Sequence, residues 1–479
     1  MAVTVKTPAM TKVATEYNYL STLDLAPEAN GIHKPDVDPD LVYRYGRQDA
    51  TGIMQAIGNT KTVSQDVVTH YEQERIHGTF RLAASAASGG TQLTADVASA
   101  YGFTTDANSP YVNTSLSATS YMPQVYDVIE ANGVQMVITS VNGASLTAET
   151  LDSTDVVPEI AVSDDIIIPF NTVPEGSTAT ESRNSRWIKF ESYLQKFRRD
   201  HVVTNTEAGN MTWVEVDTEK GSGYFWYLQA LADEYHRFMN EREAALLTGK
   251  KLTNSAAAAG GTASYGDIGS ITTTEGLIPQ VSANGNVVNY SVTNFAYANI
   301  EAMALELNKN RGDMENFLFC GYDFGLEFDT VAREASGLAN GGLIFNTFNG
   351  GEGQGVNFEI EYYKVGGYRF NKKNLDIFSD PQFLGYSGGI YRNLGIVVPV
   401  GDTVVYNSMS TASGERVPSM SILCKEDTNG SRMYQEWVTG HGLGASNSDF
   451  DGFKVHMLSN CGLQVPALNR YGLFVGEGL

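Results

Sequence analysis

Cysteine is scarce in this 479-residue chain: Cys320, Cys424 and Cys461 are an odd number and lie far apart. That excludes a disulfide framework and predicts reduced, buried thiols. Long hydrophobic runs are missing too. Stretches such as Ile166 to Phe170 and Ile396 to Val400 fall well short of the about 18 apolar residues that a membrane-crossing helix needs. Met1 to Met10 carries Lys6 as its one charge and no continuous apolar segment, so it does not read as a secretory signal and a cytosolic origin is expected. Basic residues are also few, 32 Lys plus Arg against 55 Asp plus Glu, a formal charge of −23. Such an excess of acid repels phosphate backbones and disfavours sequence-specific DNA binding through a basic face. What is present is core-forming material: 42% of residues are apolar and 10% aromatic. Wholesale disorder is excluded, and the length allows two to four domains at roughly 100 to 200 residues each.

The first 58 residues carry Pro8, Pro27, Pro35 and Pro39 with the acidic cluster Asp36, Asp38 and Asp40. Such a segment has no apolar face of its own, so it is either a disordered tail or an extended arm that orders against a neighbouring subunit. Residues 78–170 are rich in Thr, Ser, Gly and Val, and the pairs Asn132-Gly133 and Asn142-Gly143 predict two tight hairpins joining strands 125–130, 134–141 and 145–149. An independent β module is expected there. A linker follows at Pro174 to Asn184, and then a basic cluster of Arg183, Arg186, Lys189, Lys196, Arg198 and Arg199.

Helical spacing is clearest from Tyr224 to Thr248, where Phe225, Leu228, Leu231, Tyr235 and Phe238 recur at three- and four-residue intervals. Gly249 and Lys250 supply its stop signal. Residues 252–289 read as loop with short strands. Helices are expected at 293–310 and 324–333, a buried strand at 317–320, and a hairpin around Gly366-Gly367. Short strands are expected at 417–425, 433–438, 453–458 and 463–465. The fold class is therefore α+β.

Chemistry is thin. No phosphate-binding loop is present, and Gly351, Gly353 and Gly355 lack the spacing of one. Asn447 to Leu458 resembles half of a calcium loop, but Leu458 stands where a bidentate carboxylate is needed. His236 has no metal-spaced companion, and no nucleophile-elbow pattern stands out. No catalytic, cofactor-binding or metal-ligating residue is assigned, and an enzyme is not expected.

One ordered set of motifs rises above this background. The helix ending Glu241-Arg-Glu-Ala-Ala-Leu-Leu-Thr-Gly-Lys-Lys251 resembles the spine helix of tailed-phage major capsid proteins with the Hong Kong 97-type fold. Lys189 to Asp200 followed by His201-Val-Val-Thr looks like the returning limb of that family's extended loop, and Asn59 to Val63 with His70-Tyr-Glu72 like its opening limb. Asp427 to Gly440, Phe453 to Met457 and Cys461 to Val465 look like its closing strands. The motifs run in the family's order from residue 59 to the end. The departure is the module at 78–170, inserted where the family usually has a plain hairpin, and with this insertion the chain looks most like capsid proteins of crAss-like gut phages.

The resemblance implies an N-terminal arm (1–58), an extended loop (59–220) holding the inserted module, a P domain (221–292) with spine helix 224–248, and an A domain (293–355). P-domain strands (356–425) and A-domain closing strands (426–479) complete the layout. It implies Phe225, Leu228, Tyr235 and Phe238 as spine-helix packing residues. The six cations from Arg183 to Arg199, clustered in an otherwise acidic chain beside the presumed loop tip, are expected to contact neighbouring subunits, with a solvated face as the alternative. Some members of that family join a Lys to an Asn beside a Glu. Lys189 or Lys196 with Asn357 and Glu359 supply the residue types here, although ordinary solvated side chains are the plainer reading. The implied partners are copies of the chain in hexamers and pentamers, with portal, decoration or head-fibre proteins and a scaffold, around double-stranded DNA that is not bound by sequence. No cofactor and no membrane are implied. The implied location is the virion capsid, assembled in the host bacterial cytoplasm. The alternatives are the shell protein of an encapsulin-like compartment and a β-rich phage tail or fibre protein.

Overall fold

The computed structural model describes residues 59–73, 79–97, 101–102, 112–113, 123–177, 187–218, 220–252, 272–292, 294–335, 362–386, 389–400, 402–405, 415–428, 430–442 and 445–477. The expected arm, Arg183, Arg186, Asn357 and Glu359 lie outside them. Strands far outnumber helices among these residues, and the chain is a mixed α and β protein. It divides into two compact units, the smaller containing 201–235 and 439–454, the larger containing 49–200, 236–438 and 455–479.

In the larger unit, β1 (Thr60–Val63) and β2 (Val67–Gln73) precede the expected module. The module comprises β3 (Thr79–Phe80), β4 (Gln92–Asp96), β5 (Asp127–Ala131), β6 (Val134–Asn142), β7 (Ser145–Thr150) and β8 (Ile166–Asn171). They form one antiparallel sheet in the order β3-β8-β5-β6-β7-β4. Its two edges meet through the Leu82–Val97 bridge and the hydrogen bond from the Ala83 N–H to the Asp96 carbonyl at 2.7 Å. Closure of this kind removes the open edges that invite pairing with other chains. The inward face is a continuous core that includes Phe80, Leu93, Ile129, Met136, Ile138, Leu146, Ile160 and Ile166.

The two Asn-Gly pairs make different turns. Asn132 (φ 47°) and Gly133 (φ 81°) are both left-handed between the paired residues Ala131 and Val134, which is the type I′ pattern. At the second, a bulge between Ile138 and Ser140 shifts the register, so Asn142 pairs with Ser145 and Gly143 (φ 65°) becomes the first turn residue. That is the type II′ pattern, with glycine where the positive φ falls. Because the module owns its core and closes on itself, residues 79–177 expressed alone are expected to fold. Dispersed amide proton shifts would show this, and a random-coil spectrum would contradict it.

After the module, β9 (Trp187–Tyr193) returns and pairs with β2 over seven residues, from Trp187 opposite Gln73 to Tyr193 opposite Val67. These two strands form a sheet of their own. Next comes β10 (Gln195–Thr204), which runs from the larger unit into the smaller. The smaller unit holds the hairpin of β11 (Met211–Thr218) and β12 (Gly221–Phe225). The long helix α1 (Trp226–Thr248) begins there and continues into the larger unit. It starts two residues later than the periodicity suggests, because Tyr224 and Phe225 complete β12, where Phe225 pairs with Met211.

The rest of the larger unit centres on a six-stranded sheet. Its elements, in chain order, begin with α2 (Leu277–Asn284), β13 (Asn286–Ser291), α3 (Tyr297–Lys309), β14 (Glu315–Cys320) and α4 (Tyr322–Ala335). They continue with β15 (Tyr362–Val365), β16 (Tyr368–Asn374), β17 (Leu394–Pro399) and, after other strands, the last strand, Gly472–Glu477. The order is β13, the last strand, β17, β14, β16, β15. This one sheet gathers strands from the sequence intervals 221–292, 293–355, 356–425 and 426–479. Strand periodicity sends alternate residues to opposite faces. Leu318, Val397 and Phe474 meet Ile300, Met303 and Leu307 of α3 and Phe324 and Phe328 of α4. Phe319, Ile396, Val398 and Leu473 meet Leu246 and Leu247 of α1 and Leu277 and Val281 of α2.

Helix α2 corrects the expectation of loop over 252–289. Its composition is weakly helical, but Leu277, Gln280 and Val281 fall on one buried face, and Pro279 sits in the first turn, where a missing N–H is harmless. A second correction concerns the closing strands. After β18 (Ser421–Asp427) and β19 (Gln435–Gly442), the expected pair of short strands is one strand, β20 (Gly452–Gln464). Its polar middle is satisfied by neighbours. The Ser459 hydroxyl donates to the Met433 carbonyl at 2.7 Å, and Cys461 pairs with Cys424 of β18. Gly462 lies where a Cβ would collide with the Tyr193 carbonyl. Strand β1 joins the other side of β18 in parallel, Thr60 opposite Ile422.

Candidate functional site

The expected packing residues of the long helix divide between the two units. In the smaller unit, Leu228 lies over Gly221, and Tyr235 faces the Lys220 ammonium 4.3 Å from its ring centre. In the larger unit, Phe238 is 1% exposed, with its ring 6.1 Å from that of Tyr434. One turn on, Arg242 donates to the Met433 carbonyl at 2.9 Å. The side chain of Phe225 lies outside what the structure describes.

The described members of the basic cluster lie on β9 and β10. Lys189 pairs with Glu191 on its own strand at 2.6 Å. Hydrogen bonds from Lys189 and from the Tyr193 hydroxyl hold the Glu191 carboxyl below the usual carboxylate range. Lys196 and Arg198 share one face of β10. The Arg198 guanidinium stands 5.8 Å from the ring centre of Trp437, which stacks on His456. On the other face, Arg199 forks onto Glu241 of α1, its Nε donating at 3.1 Å and its Nη2 to the second oxygen. Exposed pairs of this kind contribute about 0 to 1 kcal/mol each, so the cluster is not what holds the fold together.

Lys196 is set differently from its neighbours. It lines a cleft of about 370 Å³ with Asp66, Lys425, Arg432 and Asn460. Lys425 donates to Asp66 at 2.6 Å, and Arg432 donates to Asp427 at 2.6 and 3.0 Å. The hydrogen bond from Arg432 and that from the Thr428 N–H lower the Asp427 pKa. Five separated chain segments build this cleft. No local sequence pattern could announce it, and sequence reasoning found Lys196 alone.

Other expectations are placed as follows. In the loop resembling a calcium site, the Asn447 side chain accepts from the Gly440 N–H at 2.7 Å, and Asp451 accepts from the Asn205 amide at 2.7 Å. These groups close a turn. Among the described residues, no three His, Cys, Asp or Glu side chains gather as a metal site would require.

The three thiols are free and buried. Burial pushes Cys320 and Cys424 up to about 12 and raises Cys461 as well. At pH 8 a thiol near 12 is thiolate in about one molecule in ten thousand, against roughly a quarter for a free cysteine. A thiol-specific chromogenic reagent is therefore expected to leave the native protein unlabelled and to titrate three thiols in denaturant. Rapid native labelling would contradict the burial.

No family model and no curated protein matches the chain. Among solved structures it is similar to a chain of Mycobacterium phage Bobi, with 11% identity and a TM-score of 0.40 over 96% of this chain and 99% of that one. It is also similar to a chain of Mycobacterium phage Adephagia, with 9% identity and a TM-score of 0.41 over 96% and 97%. A third is a chain from the capsid of a native GTA particle, with 8% identity and a TM-score of 0.37 over 95% and 98%.

Proposed function

We propose that this chain is the major capsid protein of a tailed double-stranded DNA phage, built on the Hong Kong 97-type plan and, with its inserted module, a member of the crAss-like group. The observation that carries the reading is the β2–β9 hairpin. It is a two-stranded sheet that joins no other strand among the described residues, and the chain between its strands holds a module with its own closed core. An isolated two-stranded ribbon is marginal in water and needs a further surface to cover it. Tyr71 and Val67 of this ribbon are exposed. A subunit that covers such a ribbon with a neighbour spreads its interfaces around itself, as a closed shell requires.

In this reading the arm, extended loop, P domain with its spine helix and A domain are the working parts, and the basic residues from Arg183 to Arg199 contact neighbouring subunits. Hexamers and pentamers form the lattice, with portal, decoration and scaffold proteins as further partners. A charge of −23 keeps enclosed DNA from adhering to the wall. The role is structural, and its place is the virion, assembled in the bacterial cytoplasm. Sedimentation velocity on nuclease-treated protein tests it. A fast, narrow boundary of large particles is expected, and a single subunit at every concentration would refute it.

A further inference from the structure

Two of the three buried thiols face each other across a strand pair. Cys424 of β18 stands opposite Cys461 of β20, and with Ile422 they form one buried cluster against which Phe197 and Met433 pack. Backbone hydrogen bonds define which kind of pair this is. The Ile422 N–H donates to the carbonyl of Asn59, just before β1, at 3.0 Å. Cys424, two residues on, therefore turns its backbone groups toward β1 as well, where it stands opposite Thr62. On β20 the Asn460 N–H donates at 2.8 Å to the Arg432 carbonyl, and Arg432 in turn donates to the Lys425 carbonyl of β18. Asn460 thus turns its amide toward β18, and its neighbour Cys461 turns its own away. The cysteines are a non-hydrogen-bonded antiparallel pair, in which Cα atoms stand about 4.5 Å apart and side chains come closest. That separation lies within the roughly 4.4 to 6.8 Å that a disulfide spans.

The surroundings of the two sulfurs are not purely apolar. Arg242 is 7% exposed, and its Nε has no hydrogen-bond partner among the described residues. Burial raises both thiols, and the Arg242 charge offsets part of that rise by favouring the thiolates. The Ser459 hydroxyl gives its proton to the Met433 carbonyl, so the Cys461 S–H donates to Ser459 Oγ at 3.0 Å. Cys320 faces no second thiol, since its strand neighbours are Asn374 and Gly395.

We propose that Cys424 and Cys461 are a modification site, a dithiol that a peroxide converts to a disulfide within one subunit. A thiolate of the pair attacks one oxygen of hydrogen peroxide, the O–O bond breaks, and a sulfenic acid and hydroxide result. The second sulfur attacks the sulfenyl sulfur, forms the S–S bond and releases the oxygen as water, while the hydroxide takes up the remaining thiol proton. Two thiols and one peroxide give one disulfide and two waters, the sulfurs being oxidised and the peroxide reduced. The chain between the cysteines passes from the larger unit into the smaller at 439–454 and returns. The bond closes that excursion at its base and restricts the unfolded chain. The reaction needs one subunit only and is independent of assembly.

The test treats the full chain with hydrogen peroxide under native conditions until the thiol count is constant, removes the peroxide with catalase, and unfolds the protein in a thiol-alkylating agent. One alkylated thiol is expected, against three in untreated protein. Peptide mapping should join Cys424 to Cys461 and find Cys320 alkylated. Cys461→Ala should keep both of its thiols under the same treatment; if that variant does not fold, mapping of the parent decides alone. The urea midpoint of the oxidised protein should fall when dithiothreitol reduces it, a comparison that methionine oxidation does not disturb because dithiothreitol leaves the sulfoxide in place. Three alkylated thiols after treatment, oxidation to sulfinic or sulfonic acid without a crosslink, a bond that includes Cys320, or a bond between subunits overturns the proposal. A midpoint that does not fall on reduction also overturns it, since the native strands would then not hold the sulfurs in bonding position.

Discussion

Replacing Phe238 with Asp is expected to abolish folding of the larger unit and, with it, any assembly. Phe238 is 1% exposed on α1 and its ring lies against Tyr434. Truncating a buried phenylalanine alone costs about 3 to 5 kcal/mol. A carboxylate in its place is buried without a partner, or must be protonated to remain, and adds several kcal/mol more. The total compares with a whole-domain stability of about 5 to 15 kcal/mol. Insoluble protein, or soluble protein lacking near-UV dichroism, is the expected result. A soluble variant with the parent's spectrum would show that this face of α1 is not packed. Phe238→Leu should keep the fold at a small fraction of that cost, because it leaves an apolar side chain in the contact.

The second large effect concerns a buried ion pair. Lys372 on β16 donates to Asp329 on α4 at 2.6 Å, with side-chain exposures of only 4% and 8%. Removing one partner of such a pair leaves a charge in the interior and costs about 3 to 5 kcal/mol. Asp329→Ala is therefore expected to lower the urea midpoint sharply. The double variant Asp329→Leu with Lys372→Met removes both charges and keeps the volume, and its midpoint should return close to the parent's. If the single and double variants unfold together, the pair is not electrostatically coupled and the burial argument fails. Neither residue stands out in the sequence, since a lysine and an aspartate 43 positions apart offer no local signal of meeting.

The same distinction between local and distant information accounts for what the sequence did and did not disclose. The hairpins at Asn132-Gly133 and Gly366-Gly367 were legible because turn chemistry is written in adjacent residues: all four have positive φ. Helices α3 and α4 were legible from three- and four-residue spacing of Ile300, Met303 and Leu307 and of Phe324, Phe328 and Val331. Helix α2 was not, because tertiary burial of Leu277 and Val281 outweighs a poor intrinsic propensity. The single long strand β20 was hidden by Ser459, Asn460 and Gly462. These are unfavourable in a strand read alone and acceptable here, where Met433, Arg432 and Tyr193 supply their surroundings. The parallel pairing of β1 with β18 joins residues more than 350 positions apart, and no periodicity predicts it. Within the candidate site, Arg198 and Lys196 were visible as a charge cluster. Trp437 beneath the first and Asn460 beside the second became visible only in the fold.

Electron microscopy of the purified, nuclease-treated chain tests the central claim most directly. The proposed function predicts closed particles of uniform diameter with icosahedral symmetry, in which density for the β2–β9 ribbon lies against an adjacent subunit. Dispersed single subunits at high protein concentration would contradict the account, as would open fibres in which the ribbon stays within its own subunit.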